Sequence, residues 1–462
     1  MGNEAELSDN GRVADVVSHE VGPDQIFFST TDAKGIIKDV NSVFIDLARF
    51  PREEMIGAPH NLIRNDIMPG GAFKLCWDDL AAGEPWVGYV ANRAKDGSRY
   101  DVLATITPLE NGDYLSVRIR PGDRELSQTL WDVYRDIRTQ ELEQRETGGM
   151  SRIAAAEWSE GILLEKVKEL GFPTYRDFMM WLLPHEVDLW EEQNPRPFAA
   201  PTQGEYVKLG GLVAQLLDEE EVWMDRQTQL TSLGVQLVKG VDALEETLTI
   251  SQRVNDEMDK VEDSGQLAED EMIPLEVGLR LSDIVGDYAN DLRSLLAELN
   301  NSTQMTRFAV ALARLQTQTV GRFVEEMAAG TDEADPILTL CQALTIETMD
   351  LSGEIRQHQT LVQRAKRRIT TVLSLVSLPQ MAVTKWRSDI LNSGLAGKVS
   401  DLLKTVADSI DAMTVMVREM ENLIIKCEEV EPDHGPEALV DTVQQVDMEA
   451  RVLAGEPLDL DF

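Results

Sequence analysis

The segment from Trp86 to Leu109, WVGYVANRAKDGSRYDVLATITPL, gives the strongest indication of the fold class. Two runs rich in β-branched and aromatic residues lie on either side of the turn signal Asp96-Gly97. Strand-forming runs separated by a short turn of this kind are typical of a β-hairpin. The stretch therefore predicts two antiparallel strands joined at Asp96-Gly97.

Outward from this hairpin, strand-like and helix-like patterns alternate over short distances. The run YLSVRIRP follows the turn signal Asn111-Gly112, and FFSTTD begins the region at Phe27. Two segments with helical spacing, NSVFIDLARF and GGAFKLCWDDLAAG, lie before the hairpin. The order of two strands, helices and three strands predicts an α+β domain over residues 27–121. We expect a five-stranded antiparallel sheet whose apolar face is covered by the short helices.

The chain of 462 residues is strongly acidic, with 82 acidic and 43 basic residues and a formal net charge of -39. Such a field repels phosphate backbones and anionic lipid headgroups, so we expect neither nucleic acid nor a membrane surface as a partner. The first residues lack the features of a secretory signal, and no apolar stretch reaches the length of a membrane span. These features predict a cytoplasmic protein without a membrane span.

The cysteines Cys76, Cys341 and Cys427 are far apart in the sequence and form no CxxC pair. This spacing argues against a disulfide framework and against a cysteine zinc site. We expect all three to be reduced packing residues.

Beyond residue 121 the spacing of apolar residues is typical of helices. Apolar residues step by threes and fours through residues 204–430, as at Leu230, Leu233 and Leu237, which predicts long helices in a bundle or coiled coil. The seams can be filled by the same chain or by a second copy, and we expect a homodimer. The other predicted segments are an acidic N-terminal segment (1–26), a helical linker (122–149), an irregular proline-containing segment (150–203) and an acidic C-terminal tail (431–462).

The most characteristic pieces of residues 57–109 are Pro59-His60-Asn61, Met68-Pro69, Phe73, Trp77, Gly83-Glu84-Pro85-Trp86, Gly88, Asn92-Arg93, Lys95-Asp96-Gly97 and Tyr100. With these pieces the segment resembles the PAS domain of the bacterial aerotaxis receptors, which bind FAD and report redox state to the chemotaxis machinery. The similarity extends over residues 27–121, whereas the helical region resembles no family and lacks the membrane anchor and signalling hairpin of typical aerotaxis receptors. The resemblance implies a PAS sensor domain with FAD, and signalling partners among chemotaxis components.

The resemblance also implies a set of residues that line or support the flavin site, namely Asn41, Arg64, Trp77, Trp86, Asn92 and Tyr100. A flavin needs a flat apolar slot with a few polar groups that fix its ring edge and its phosphates. The two tryptophans would wall the slot, the two asparagines would bond the ring edge, and Arg64 would pair with the pyrophosphate. Each residue also has a structural alternative: the tryptophans can be core residues, Asn41 can be an N-cap, and Asn92 can pair with Tyr100 across the hairpin.

One position departs from the aerotaxis receptors. After the matched arginine those receptors carry His-Pro-Asp, whose histidine and aspartate are associated with flavin binding, whereas this chain has Asn65-Asp66-Ile67. Asn65 can still donate a hydrogen bond, but Ile67 supplies no polar group. Two alternatives to FAD stay open: a PAS domain that binds no cofactor, and a PAS domain that binds haem through His60.

No catalytic constellation stands out in the sequence, and no glycine-rich ATP-binding box follows His358. We therefore expect a protein that is not an enzyme. The leading hypothesis is a cytoplasmic signal-transduction protein that senses redox state or oxygen through a flavin and relays it to partner proteins by conformational change. The alternative is a non-catalytic scaffold whose PAS domain serves dimerisation. The final residues, LDLDF, are interpreted as a solvated end, with a docking tail as the alternative.

Overall fold

The computed structural model describes residues 18–194, 198–332, 334–430 and 435–455, except for the side chain of Asp283. The first 17 residues and the LDLDF end, for which the sequence carries interpretations, lie outside these ranges. The chain divides into two compact units. The sheet unit comprises the residues up to Met224, Phe308–Ser352 and the residues from Glu437 onward; the bundle unit comprises Asp225–Arg307 and Gly353–Pro436.

A five-stranded antiparallel sheet lies in the sheet unit, which confirms the predicted α+β fold. The hairpin predicted at Asp96-Gly97 joins the third and fourth strands, with Trp86 opposite Ile106 and Asn92 opposite Tyr100. The strands are β1 (Phe27–Thr31), β2 (Ile37–Val40), β3 (Trp86–Arg93), β4 (Arg99–Pro108) and β5 (Tyr114–Ile119). Their order is β2-β1-β5-β4-β3, so β2 and β3 are the edge strands.

Four short helices cover the face of the sheet that we call the inner face. They are α1 (Ser42–Ala48), α2 (Arg52–Met55), a 3-10 helix (His60–Ile63) and α3 (Gly70–Ala81). Side chains alternate along a strand, so the paired residues Ser29 and Ser116 share the inner face. The next pair along, Phe28 and Val117, points to the opposite, outer face.

The segment predicted to be irregular, residues 150–203, is largely helical, so that prediction was wrong. It contains α5 (Arg152–Glu169) and α6 (Tyr175–Gln193). α6 begins with a reciprocal capping box between Thr174 and Asp177, which satisfies backbone N–H groups at its first turn. Helix formation continues through Pro184, a residue that usually argues against a helix interior.

The predicted linker forms α4 (Arg124–Glu146). It is not an exposed helix, because it buries Trp131, Tyr134 and Ile137. The Trp131 ring meets the ring of Tyr89 on β3 at 5.9 Å between centroids. α4 is therefore part of the sheet unit's core.

α5 packs tightly against the start of α3. The Gly71 amide donates a hydrogen bond to Ser159 Oγ at 2.8 Å. A Cβ atom at Gly71 would lie 2.2 Å from the backbone nitrogen of Glu160, so only glycine allows this approach.

The predicted single helical region over residues 204–430 is divided between the two units. α7 (Val207–Met224) belongs to the sheet unit, as does α12 (Glu437–Leu453) from the predicted acidic tail. α9 (Glu269–Ala329) and α10 (Ile337–Ser393) each contribute residues to both units. Within the sheet unit, Phe323 of α9 packs edge-on against Phe28 of β1, with ring centroids 5.1 Å apart. The outer face of the sheet is therefore covered by helices of the same chain.

The bundle unit consists of α8 (Gln227–Ser264), α11 (Ser400–Glu429) and the remaining parts of α9 and α10. Ion pairs join its helices at the surface, for example Arg293 with Glu245 at 3.0 Å and Lys366 with Glu428 at 3.7 Å. A buried apolar cluster draws on all four helices and includes Leu233, Leu237, Leu292, Leu296, Ile369, Val372, Met420 and Leu423. The predicted long-helix bundle is confirmed for this part of the chain.

Within the described ranges, no helix combines the length and the apolar character that crossing a bilayer requires. The three cysteines are buried and form no disulfide, as the sequence predicts.

Candidate functional site

A cavity of about 360 Å³ lies between the inner face of the sheet, the 3-10 helix and α3. This volume falls within the usual range of small-molecule sites, roughly 300–1,000 Å³. Ala104 and Ile106 of β4 form its apolar floor, and Phe73, Cys76 and Leu80 of α3 lie among the side chains opposite.

The cavity is lined by cations although the whole chain carries a net charge of -39. Lys34, Arg64, Arg118 and Arg152 all contribute to its wall, and no aspartate or glutamate is found among its described lining residues. A concave site with several guanidinium groups favours a ligand that carries negative charge. The cavity therefore suits an anionic molecule with an apolar body.

Arg118 is the most buried of these cations, with 3% of its surface exposed. From β5 its guanidinium donates to Ser29 Oγ at 3.2 Å and to His60 Nε2 at 2.7 Å. It also lies 4.9 Å from the ring centroid of Phe44, within reach of a cation–π interaction. Burial lowers the pKa of Arg118 to about 10, so the group is still charged at neutral pH.

His60 is held as a neutral imidazole beside this arginine. Burial, followed by the nearby Arg118 charge, lowers the pKa of His60 to about 3. Its Nε2 lone pair accepts the hydrogen bond from Arg118, so this nitrogen is not free to bind an iron atom. The geometry therefore disfavours the haem alternative that the sequence left open.

Arg64 lines the cavity next to Phe73. Its guanidinium lies 4.3 Å from the Phe73 ring centroid and donates to the Met68 carbonyl oxygen at 2.8 Å. Burial and the neighbouring Arg138 charge lower the pKa of Arg64 to about 10. The side chain is thus fixed in place while its charge remains available to a ligand.

The two predicted tryptophans both line the cavity, but in different environments. Trp77 is 42% exposed and meets the Tyr114 ring edge-on, with centroids 5.7 Å apart. Trp86 is only 2% exposed and stacks on Tyr175 at 6.5 Å between centroids. Trp77 forms part of the entrance, whereas Trp86 is a fully buried part of the wall.

Three buried polar atoms of lining residues, Asn92 Nδ2, Ser116 Oγ and Trp86 Nε1, find no hydrogen-bond partner among the described residues. Buried polar groups without partners are costly, and a ligand acceptor would satisfy them. Asn92 and Ser116 are therefore suited to contact the polar edge of a bound ring.

The structure corrects the prediction for Asn41, which does not line the cavity. Its side chain accepts a hydrogen bond from the Phe28 amide at 3.2 Å and caps α1. Its Nδ2 donates to the Ile26 carbonyl oxygen and to Glu326, both at 3.3 Å. The cap alternative holds because every polar atom of this side chain is used within the fold.

Asn65 and Tyr100 also lie away from the cavity wall. Asn65 accepts from the Ile67 amide at 3.1 Å and donates to the Asn92 carbonyl oxygen at 3.3 Å, so it stabilises the turn beside a lining residue. The buried Tyr100 ring packs 6.4 Å from that of Phe27. The neighbouring Asp66 pairs with Arg93 at 2.9 Å.

Four of the predicted residues are thus brought together, while the sequence analysis missed Arg118, Ser116 and Arg152. A signal existed for the first two, since the alternation in YLSVRIRP places Ser116 and Arg118 on one face of β5. Arg152 could not be found because the helix that carries it was not predicted.

A family model described as a PAS domain matches residues 23–119, and this part of the chain is a PAS sensor domain. Over 108 residues the chain is 37% identical to the aerotaxis receptor of Escherichia coli (strain K12). That match covers 22% of this chain and 21% of the receptor, so the chain spans about a fifth of the length of its relative. The remainder of the chain has no family match.

Two similar solved structures come from sensor kinases. One is a domain of the sensory box sensor histidine kinase/response regulator from Geobacter sulfurreducens, with 18% identity, a TM-score of 0.19, and coverage of 20% of this chain and 81% of that chain. Another is the LOV domain of a blue-light activated histidine kinase from Erythrobacter litoralis, with 15% identity, a TM-score of 0.19, and coverage of 21% and 94%.

Proposed function

We propose that this chain is a PAS-domain signal-transduction protein whose cavity binds FAD and reports its redox state to partner proteins. The observation that carries the proposal is the cation-lined cavity, with its three unpartnered polar atoms, in a chain of net charge -39. The similarity to an aerotaxis receptor supports a flavin and suggests chemotaxis components as partners.

The residues present fit a flavin. Asn92 and Ser116 would bond the ring edge, with Arg118 as a charged donor beside them. Arg64 and Arg152 would hold the phosphates, and Trp77 would shield the ring at the entrance. When bound, a flavin supplies a ring whose charge and hydrogen bonding differ between its oxidised and reduced states.

The sheet offers a physical route from this site to the helices. Ser29 faces Arg118 at the cavity, and its neighbour Phe28 points the other way and packs on Phe323 of α9. On β3, Val90 lines the cavity while Tyr89 packs on Trp131 of α4. A ligand state that moves a strand therefore moves the helices on its outer face, provided the two states fit two helix positions differently.

We further propose that the output is conformational rather than enzymatic. The cytoplasmic location and the homodimer stay predictions. The scaffold alternative requires a PAS domain without a ligand, and the unpartnered polar atoms at the cavity favour the sensor over it.

The test is uptake of FAD by the purified full-length protein, measured by absorbance and by equilibrium binding. We expect flavin absorbance after purification or after reconstitution, and weaker binding of riboflavin, which lacks the phosphates. A wild-type protein that takes up no FAD would refute the cofactor proposal. Equal affinity for FAD and riboflavin would refute the assigned role of Arg64 and Arg152.

A further inference from the structure

α6 lies along the edge of the sheet at β3. The Val87 amide donates to Met179 Sδ at 3.2 Å, and the Tyr175 hydroxyl donates to the Val87 carbonyl oxygen at 3.4 Å. An edge strand has backbone groups without a strand partner, and these two side chains occupy them. α6 is therefore hydrogen-bonded to β3, the strand whose residues Val90 and Asn92 line the cavity.

Further along the same helix, a single carboxylate joins β3 to the two residues that precede α4. Glu186 is fully buried, and its Oε1 accepts from the Tyr89 hydroxyl at 2.5 Å. The same carboxylate accepts from the Gly122 amide at 2.6 Å and from the Asp123 amide at 2.9 Å. These three donors come from the cavity strand and from the point where the chain leaves the sheet.

The place at which Glu186 acts is the start of α4. Asp123 is the N-cap of α4, and its side chain accepts from the Leu126 amide at 2.9 Å. The residue next to Glu186, His185, pairs with the Asp123 carboxylate at 2.9 Å. Two consecutive residues of α6 thus hold both the backbone and the side chain of the α4 cap.

The fit at this point is close. A Cβ atom at Gly122 would lie 2.8 Å from the Leu189 Cβ of α6, closer than side-chain carbons approach one another. The two segments are therefore in direct contact, without room for a water molecule between Gly122 and α6 at this point.

We propose that Glu186 is a positioning residue that couples the cavity strand to the start of α4, so that a change at the ligand is passed to α4 through Tyr89, Glu186 and the Asp123 amide. The proposal rests on the proposed function in that the cavity holds a ligand. A buried carboxylate suits this role because it accepts several hydrogen bonds at once, and each donor that is lost removes a hydrogen bond that no water replaces.

The first test needs no ligand. Hydrogen exchange of the full-length protein is followed over residues 122–130 in the wild type and in Glu186→Gln, Tyr89→Phe and Glu192→Gln. Glu192 is an exposed residue of the same helix and gives the matched control. We expect exchange to rise about tenfold in Glu186→Gln, because the NH2 group of Gln replaces one of the two acceptor oxygens and faces an N–H donor, and by a smaller factor in Tyr89→Phe. If residues 122–130 exchange no faster in Glu186→Gln and Tyr89→Phe than in Glu192→Gln, the proposal is overturned.

The second test adds FAD to the same proteins. We expect FAD to alter exchange over residues 122–130 in the wild type and in Glu192→Gln. In Tyr89→Phe we expect unchanged FAD affinity and no such response, a separation that a merely structural role would not produce. If wild-type protein binds no FAD, the cofactor proposal fails while the first test still decides the link to α4. A normal response in Tyr89→Phe would overturn the coupling role.

Discussion

The two faces of the sheet differ in charge and in packing, although the same five strands build both. The inner face carries a cavity lined by Lys34, Arg64, Arg118 and Arg152. The outer face is filled by helices of the same chain, which bring buried carboxyl groups to the strands. Glu186 binds Tyr89 of β3, and Glu347 of α10 interacts with Thr107 of β4. One face of the sheet thus borders an open, cation-lined cavity, whereas the other is occupied by helices of the same chain.

The electrostatic consequences of the two faces are also opposite. On the inner face, burial lowers the pKa values of Arg64 and Arg118 to about 10, and both stay charged at neutral pH. On the outer face, burial and the nearby Asp350 raise the pKa of Glu347 to about 8, so this carboxyl group is mostly protonated at neutral pH. The inner face thus keeps its positive charge, whereas the carboxyl group of Glu347 is neutralised by protonation.

The largest expected effect comes from the two tryptophans of the inner face. Trp86→Ala removes a buried ring and should lower the free energy of unfolding by about 3–5 kcal/mol. Trp77→Ala removes a half-exposed ring and should cost less than about 1 kcal/mol while weakening FAD binding. Thermal unfolding and FAD titration of both variants separate the two roles. Equal destabilisation by the two substitutions would contradict the distinction between entrance and core.

Next in size is a pH effect on the outer face. Because the folded-state pKa of Glu347 is raised from 4.5 to about 8, the folded protein holds a proton that the unfolded chain has lost. The contribution of Glu347 to the free energy of unfolding is complete below pH 4.5 and is lost as the pH rises to about 8. Glu347→Gln removes this dependence and should stabilise the protein at pH 8 relative to wild type by about 2–4 kcal/mol.

The measurement for Glu347→Gln is the apparent unfolding midpoint at pH 5 and at pH 8. The exposed-site variant Glu192→Gln should follow the wild type at both pH values. A difference between Glu347→Gln and wild type that does not grow with pH would show that this carboxyl group is ionised in the folded protein.

Arg118→Met tests the charge of the inner face. It replaces a buried guanidinium by an apolar chain, so stability should stay the same or rise, since a desolvated charge is removed. FAD affinity should fall about 30-fold, or about 2 kcal/mol. Equilibrium titration measures this fall, and the exposed Arg253→Met in the bundle unit is the control. Undiminished FAD affinity would remove Arg118 from the site.

The smallest expected effect is that of Asn41→Ala, which sharpens the boundary of the inner-face site. Loss of the α1 cap should cost about 1 kcal/mol of stability. Affinity for FAD should stay within about twofold of wild type, because the side chain does not reach the cavity. A strong loss of FAD binding with unchanged stability would restore the role that the aerotaxis-receptor resemblance implies.

Part of the site was predictable because its signals are local. The aerotaxis-receptor resemblance implies Arg64, Trp86 and Asn92, and the β-rich run WVGYVANR places the last two on one strand. Asn41 was ambiguous because an asparagine after a strand satisfies a helix cap as well as a ligand. Only the contact with the Phe44 amide, together with Glu326 of α9, decides between the two.

Part of the fold was not predictable for a related reason. The capping box of α6 is visible in the sequence at Thr174 and Asp177, but Pro184 argues against a helix that continues through it. Burial of Phe178, Leu182 and Val187 within the sheet unit compensates for the lost backbone hydrogen bond. Tertiary packing thus overrides the local propensity of this segment.

Patterns within the sequence specify the α+β sheet, the hairpin at Asp96-Gly97, the long helices and the strongly acidic charge. These features follow from periodicity, turn chemistry and composition, which act over a few neighbouring residues or over the whole chain. Two hydrogen bonds become evident only in the three-dimensional structure: that of Arg118 with His60 at the cavity, and that of Tyr89 with Glu186 near the start of α4. Such contacts join residues far apart in the chain, and no local pattern specifies which distant groups become neighbours.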